Sequence, residues 1–284
     1  MRRVATALLA ALLLSGCTQT TAQPEPSPTT SVPASSPAAV HTPVARVALA
    51  PEPIKEEFLL HNPLYRAGQV TPVTCSLPTA KLTNKQTMVR YANAFVACLN
   101  RGWAPVITRA GFDFAPPSAV YSAPTGTKTD CAVMGEDYTG LYCDSNRGIY
   151  INWPKYIGGW SQETARAGVQ YLVAHEYGHH VQLLTGIADQ YGDRWSAVGT
   201  PALQTVEQNR MEMQAHCFAA AFLGANQDTL RIRGDRLAHY GHPGYDRNES
   251  GWANFDRWLR LGFKAKGPAA CETWDAPAGK VTGA

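Results

Sequence analysis

The chain has 284 residues, 45% of them hydrophobic, and a formal net charge of +3. That is enough apolar material for a substantial core, which excludes a disordered or low-complexity protein over most of the length. The near-neutral balance without any basic run leaves no electrostatic footprint for nucleic acid as a partner.

Met1-Arg2-Arg3 followed by apolar residues 4–14 has the charged start and short hydrophobic stretch of a secretion signal, too short to stay in a bilayer as a spanning helix. Leu14-Ser15-Gly16-Cys17 then resembles the lipobox of bacterial lipoproteins, in which the cysteine is lipidated and becomes the mature N-terminus. Residues 1–16 are therefore expected to be a signal peptide and Cys17 a lipid anchor to the membrane. Residues 17–53 are mostly Thr, Ser, Pro, Ala, Gln and Val with no period that could bury a core, and predict a tether. At roughly 3 Å per residue such a tether reaches up to about 100 Å from the membrane surface. The expected location is the bacterial cell envelope, outside the cytoplasm. Residues 54–284 are left as one domain.

Seven cysteines less Cys17 leave six, an even number in an exported chain, which predicts three disulfides. Spacing does not choose among the possible pairings; the sequential set, Cys75 with Cys98, Cys131 with Cys143 and Cys217 with Cys271, is the expectation. None has the CxxC spacing of a zinc ribbon or redox site.

Within the domain, residues 84–100 predict a helix with Met88, Ala92, Phe95 and Leu99 on one side. Residues 102–126 are rich in Pro and Gly and should hold only short strand-like pieces such as 119–121. Residues 141–143 and 148–153 predict strands, the second with alternating character and a backbone edge on which an extended peptide could lie.

Ser161 can cap a helix that Glu163 favours electrostatically and Gly186 can stop. Ala165, Val169, Leu172, Glu176, His179 and Leu183 recur at spacings of three and four, giving the buried stripe of an amphipathic helix of about seven turns. Inside it lies Val173-Ala174-His175-Glu176-Tyr177-Gly178-His179-His180-Val181-Gln182. Two histidines four apart stand one above the other, so both imidazoles can bind one metal ion, while Glu176 faces the water such an ion would activate. His180 points about 100° away round the helix.

Residues 189–198 read as a loop. Thr200-Pro201, an N-cap followed by proline, starts a helix to about residue 223, where Gly224 can end it. A last helix, 252–263, carries Trp252, Phe255, Trp258, Leu259 and Phe263 at helical spacing, as a core face.

A catalytic zinc takes three protein ligands and keeps one position for water. A metzincin would need Gly and His where Gln182 and Thr185 stand, so that completion is excluded. The other common third ligand is a glutamate from the following helix, and Glu212 is well placed for it; a surface glutamate is the alternative reading of the same spacing.

Here the chain resembles a family, the bacterial neutral zinc metallopeptidases, whose helix reads H-E-[YVF]-G-H-H-V-Q, as residues 175–182 do. Thr129-Asp130-Cys131 resembles the family's cysteine segment, and residues 141–143 with 148–152 its F-Y-C and Y-L-D strands. Residues 210–219 resemble R-x-E-L-Q-A-D-C-F-A-G, and Arg257-Trp258, Gly262-Phe263, Pro268 and Cys271 resemble the closing pattern.

The resemblance implies an α+β, zincin-like metalloprotease domain with a small edge-exposed sheet, binding one zinc ion through His175, His179 and Glu212. The implied reaction is hydrolysis of a peptide or protein substrate by a zinc-activated water, with Glu176 as general base. Two departures stand out. The family's aspartate four residues after the ligand glutamate is His216 here, which can take over an outer hydrogen-bonding role or become a fourth ligand that closes the water position. The family's H-G step is Ser250-Gly251, so His239, Tyr240, His242 and Tyr245 become the candidates for oxyanion stabilisation. The competing expectation is a catalytically inactive envelope lipoprotein that keeps this scaffold to bind a partner or metal.

Overall fold

The computed structural model describes residues 55–233, 240 and 249–281, in which six helices and a three-stranded sheet form a mixed α+β arrangement, with the helices Lys85–Arg109 and Gln162–Leu184 packed on the sheet. Cys17, the leader and the tether lie outside the described residues, as do His239, His242 and Tyr245. No helix of the described residues is long and apolar enough to cross a membrane.

Helix α1 (Lys55–Leu60) leads through a one-turn 3-10 segment into extended chain. Helix α2 (Lys85–Arg109) starts at the expected Asn84, whose side chain accepts from the Thr87 backbone N–H while Thr87 bonds back. It does not stop at residue 100 but continues through Gly102 and Pro105. An internal proline costs about 3 kcal/mol. Trp103, Val106 and Ile107, all buried on this extra length, offset it at roughly 1.5–3 kcal/mol each. Gly102 is needed there, because a Cβ would meet the Phe222 ring at 2.7 Å.

Strands β1 (Val120–Ser122), β2 (Gly140–Cys143) and β3 (Gly148–Ile151) form a sheet in the order β1-β3-β2, with β3 parallel to β1 and antiparallel to β2. The expected alternation and free edge of residues 148–152 are not found: β3 is the central strand, and all four of its residues are buried. Ile149 and Ile151 join the main core, whereas Tyr150 packs with Ala123, Met134 and Cys143 in a second small cluster. Covered on both faces, the strand has no polar side to display, and the free edges belong to β1 and β2.

Helix α3 (Gln162–Leu184) begins at Ser161, whose Oγ accepts from the Thr164 N–H at 3.0 Å. Its burial is nearly all round rather than a single stripe, because α2, β2 and α5 flank it. Gly186, at φ 71°, turns the chain into helix α4 (Ile187–Ala197), where a loop was expected. Ile187 is fully buried, and Arg194 reaches Glu207 at 2.6 Å.

Helix α5 (Pro201–Ala225) is capped by Thr200 as expected but passes straight through Gly224. A Cβ on Gly224 would lie 2.1 Å from the Phe263 carbonyl oxygen, and one on Gly262 would lie 2.1 Å from that of Cys217. These two glycines are notches that let α5 and helix α6 (Glu249–Ala265) touch backbone to backbone, rather than stops. On α6, Trp258 and Leu259 are buried core, and Phe255 and Phe263 pack at its margin.

The cysteines pair as Cys75–Cys98, Cys131–Cys143 and Cys217–Cys271, with Cα separations of 5.6, 5.6 and 5.5 Å. The last ties the chain after α6 back onto α5. The second pins the loop before β2 to the last residue of that strand.

Candidate metal centre

Helix α3 presents His175 and His179 one turn apart, and α5 crosses beside them to present Glu212. Gly178 makes this crossing close: a Cβ there would stand 2.8 Å from the Ala215 carbonyl oxygen and 2.9 Å from its Cα. Any side chain at 178 would push the helices apart, and with them the groups on either side of the contact.

The donor atoms converge. His175 Nε2 and His179 Nε2 are 3.2 Å apart, and Glu212 Oε2 lies 3.3 and 3.5 Å from them. Ligands held about 2.0–2.1 Å from a tetrahedral zinc stand roughly 3.3 Å from one another, so this triangle has the edge lengths the ion requires. Two imidazoles and a carboxylate are also a zinc donor set, and the carboxylate's partial exposure leaves a way in.

The charges agree with the geometry. Although surrounding protein disfavours its charged form, Glu212 is held well below the usual carboxylate range by the two imidazoles and their hydrogen bonds. Burial pulls His179 down, but Glu212 overcomes this and pushes it up to about 9. The carboxylate and the two imidazoles thus favour positive charge in the space between them, where a metal ion would compete with protons for the same donors.

Glu176 lies beside the triangle, 5% exposed. Burial pushes its carboxyl up; the neighbouring imidazoles and a backbone hydrogen bond from Tyr142 of β2 act the other way. Gly140 of β2 permits this approach, since a Cβ there would come within 2.9 Å of Glu176 Oε1. The fully buried His180 is turned to the same strand. Its Nε2–H donates to the Ala115 carbonyl at 2.7 Å, so Nδ1 accepts from the Tyr142 hydroxyl at 2.8 Å. Burial lowers its pKa to about 4 and keeps it neutral.

His216 does not join the donors. Its ring lies against that of His175, centroids 4.2 Å apart and planes at 29°, and its Nδ1 pairs with the Tyr171 hydroxyl. Neither the fourth-ligand position nor acceptance of a bond from His175 is observed; His175 Nδ1 is buried with no partner among the described residues. Of the oxyanion candidates only Tyr240 is described, and its hydroxyl donates to Gln170 Oε1 at 2.6 Å. Nothing in the linear pattern marks Tyr142 or Gly140 as site residues. A glycine inside a helix that carries the active motif, otherwise a weak residue there, was the available signal for Gly178.

Residues 66–236 match the family described as "Putative neutral zinc metallopeptidase". The chain is 24% identical over 240 residues to uncharacterized protein YpfJ of Escherichia coli K12, covering 72% of this chain and 77% of YpfJ. It is likewise 24% identical over 224 residues to uncharacterized protein Rv2575 of Mycobacterium tuberculosis H37Rv, covering 65% of this chain and 73% of that one. No solved structure matches.

Proposed function

The chain belongs to the putative neutral zinc metallopeptidase family, and from that membership we propose that it hydrolyses peptide bonds with one zinc ion held by His175, His179 and Glu212. The observation that carries the reading is the donor triangle, closed by residues from two helices to the spacing of a tetrahedral ion, with Glu176 buried beside it. The architecture is read as zincin-like, with the two-histidine helix, a strand edge above it and a glutamate-bearing second helix.

When bound, zinc supplies a Lewis acid that polarises a carbonyl and makes water acidic near neutral pH. Glu176 takes the proton from that water on a carboxylate oxygen and delivers it to the leaving amine. Its burial, which raises its proton affinity, suits both halves of that task. The Tyr142 N–H orients the carboxylate from the side of β2. An extended substrate would lie along the free edge of β2 rather than along β3, where both edges are taken.

The sequence features of residues 1–53 support attachment through Cys17 outside the cytoplasm, with peptides or proteins of the cell envelope as substrates. The domain from residue 54 onward would carry the whole activity.

The test is zinc content and cleavage of a peptide library by the domain, wild type against Glu176→Gln. Both proteins should bind one zinc per chain, and the variant should lose about 10²–10⁴-fold in turnover. Bound zinc without Glu176-dependent cleavage would favour the non-catalytic binding protein, for which the replaced aspartate at His216 is the supporting feature. Failure to bind zinc would sink the hydrolase and leave only the binding of a partner.

A further inference from the structure

Gln182 closes the helix motif, and beyond excluding a metzincin it has had no role so far. It is fully buried, as is Gln214 on α5. His179 Nδ1 and Gln182 Oε1 are 2.9 Å apart. The Gln182 amide nitrogen donates to the Met211 carbonyl at 2.9 Å and to Gln214 Oε1 at 3.0 Å. The Gln214 amide nitrogen in turn donates to the Cys271 carbonyl at 3.0 Å and to the Tyr65 hydroxyl at 2.8 Å.

The chain has only one polarity. The Cys271 carbonyl can only accept, so Gln214 must turn its NH2 toward it and its oxygen toward Gln182. Gln182 must then donate to Gln214, a requirement the Met211 carbonyl imposes a second time. The Gln182 oxygen is left facing His179, so the ring nitrogen there must carry the hydrogen. His179 consequently keeps its proton on Nδ1 and its lone pair on Nε2, the atom in the donor triangle. Flipping either amide would bring two oxygens together at a fully buried position.

We propose that Gln182 and Gln214 form a buried amide relay that positions His179 as a metal ligand and fixes its tautomer from the backbone of disulfide-bonded Cys271. The inference rests on the zinc reading of the site and adds what holds one of its ligands. Both glutamines are positioning residues, since neither reaches the donor triangle. Partners that orient a ligand histidine typically change metal affinity about 10- to 100-fold when removed. The two ligands also differ: His179 is oriented by a hydrogen bond, whereas His175 is held by ring stacking with its Nδ1 without a partner among the described residues.

The experiment measures zinc dissociation constants by competition with a chromophoric chelator for wild type, Gln182→Leu, Gln182→Glu and Gln214→Leu, with circular dichroism confirming the fold. Gln182→Leu should weaken zinc binding about 10- to 100-fold. Gln182→Glu, which keeps an acceptor for His179 but sets an oxygen against the Met211 carbonyl and Gln214 Oε1, should lose less zinc affinity than Gln182→Leu. Gln214→Leu, which removes one of the two groups orienting Gln182, should fall between wild type and Gln182→Leu.

A second measurement needs no variant. In the zinc-loaded wild type, a slowly exchanging Nδ1–H of His179 should appear in ¹⁵N-histidine NMR spectra. Folded Gln182→Leu with wild-type zinc affinity, equal losses in the Leu and Glu variants, or a His179 ring without that Nδ1–H would each overturn the relay. Absence of zinc binding by the wild type would instead overturn the metal reading beneath it.

Discussion

His216 shows how one side chain can shape a site without joining its donors. It sits on α5 one turn beyond Glu212, yet its ring lies flat against His175 and leaves the Nδ1 of that ligand without an acceptor among the described residues. An aspartate has no ring to stack and offers two acceptor oxygens. His216→Asp should therefore tighten zinc binding by about tenfold, as a carboxylate takes up the His175 Nδ1–H; unchanged or weaker binding in the chelator assay would show that the stacked ring already does this work. At this scale the sequence was informative where a helical period fixes direction: His175 and His179 stand one turn apart with their Nε2 atoms together, whereas spacing left Glu212 open between a ligand and a surface glutamate and the family resemblance pointed to it. It was silent on His216's orientation, because two imidazoles side by side can stack, hydrogen-bond or ligate, and packing by Tyr171 and Phe255 decides which.

Among the elements, the glycines did most to separate expectation from structure. Gly102, Gly224 and Gly262 are all places where another element presses on the helix, and two of the three, Gly102 and Gly224, stand where the linear pattern predicts a helix to end. A glycine that stops a helix and one that admits a neighbour look alike in a linear chain, since the pressing atoms come from residues far away in sequence. Helix α4 was missed for a related reason: its one fully buried residue, Ile187, stands at its very start, and its polar remainder is held by contacts such as Arg194 with Glu207. Gly178 gives the sharpest prediction. Gly178→Ala must force α3 from α5 at Ala215, and should destabilise the fold by about 1–3 kcal/mol while weakening zinc binding, because the donors lie on the two helices being separated. Loss of stability in urea denaturation with zinc affinity untouched would show that the helices slide rather than part. By contrast, Gly192 meets nothing within 4 Å, and Gly192→Ala should leave zinc affinity as it is and change stability by less than about 1 kcal/mol.

For the molecule as a whole, two kinds of cross-link act on the same helix. The Cys217–Cys271 bridge spans 54 residues, and replacing both cysteines by serine should cost about 4 kcal/mol of stability by the chain-entropy argument. Zinc at a thousandfold over its dissociation constant should add about 4 kcal/mol to the folded state. Its removal by chelator should lower the melting temperature by roughly 10 °C in a domain of this size. Calorimetry of the four combinations, with and without each cross-link, measures whether the two add; a shortfall from additivity would show that they stabilise a shared part of the structure.

The crossing of α3 and α5 at Gly178 also dictates an order of events. No contiguous segment carries all three donors, so a chain that has not yet docked α5 offers an ion two imidazoles at most and holds it weakly. The donors come to full strength only once the two helices have met, when much of the core is in place. Because Glu212 remains 37% exposed in the finished fold, the ion can then arrive from solvent and leave again without any helix being undone. On the zinc reading of the site, apo-protein folded beforehand should therefore load on mixing, without unfolding.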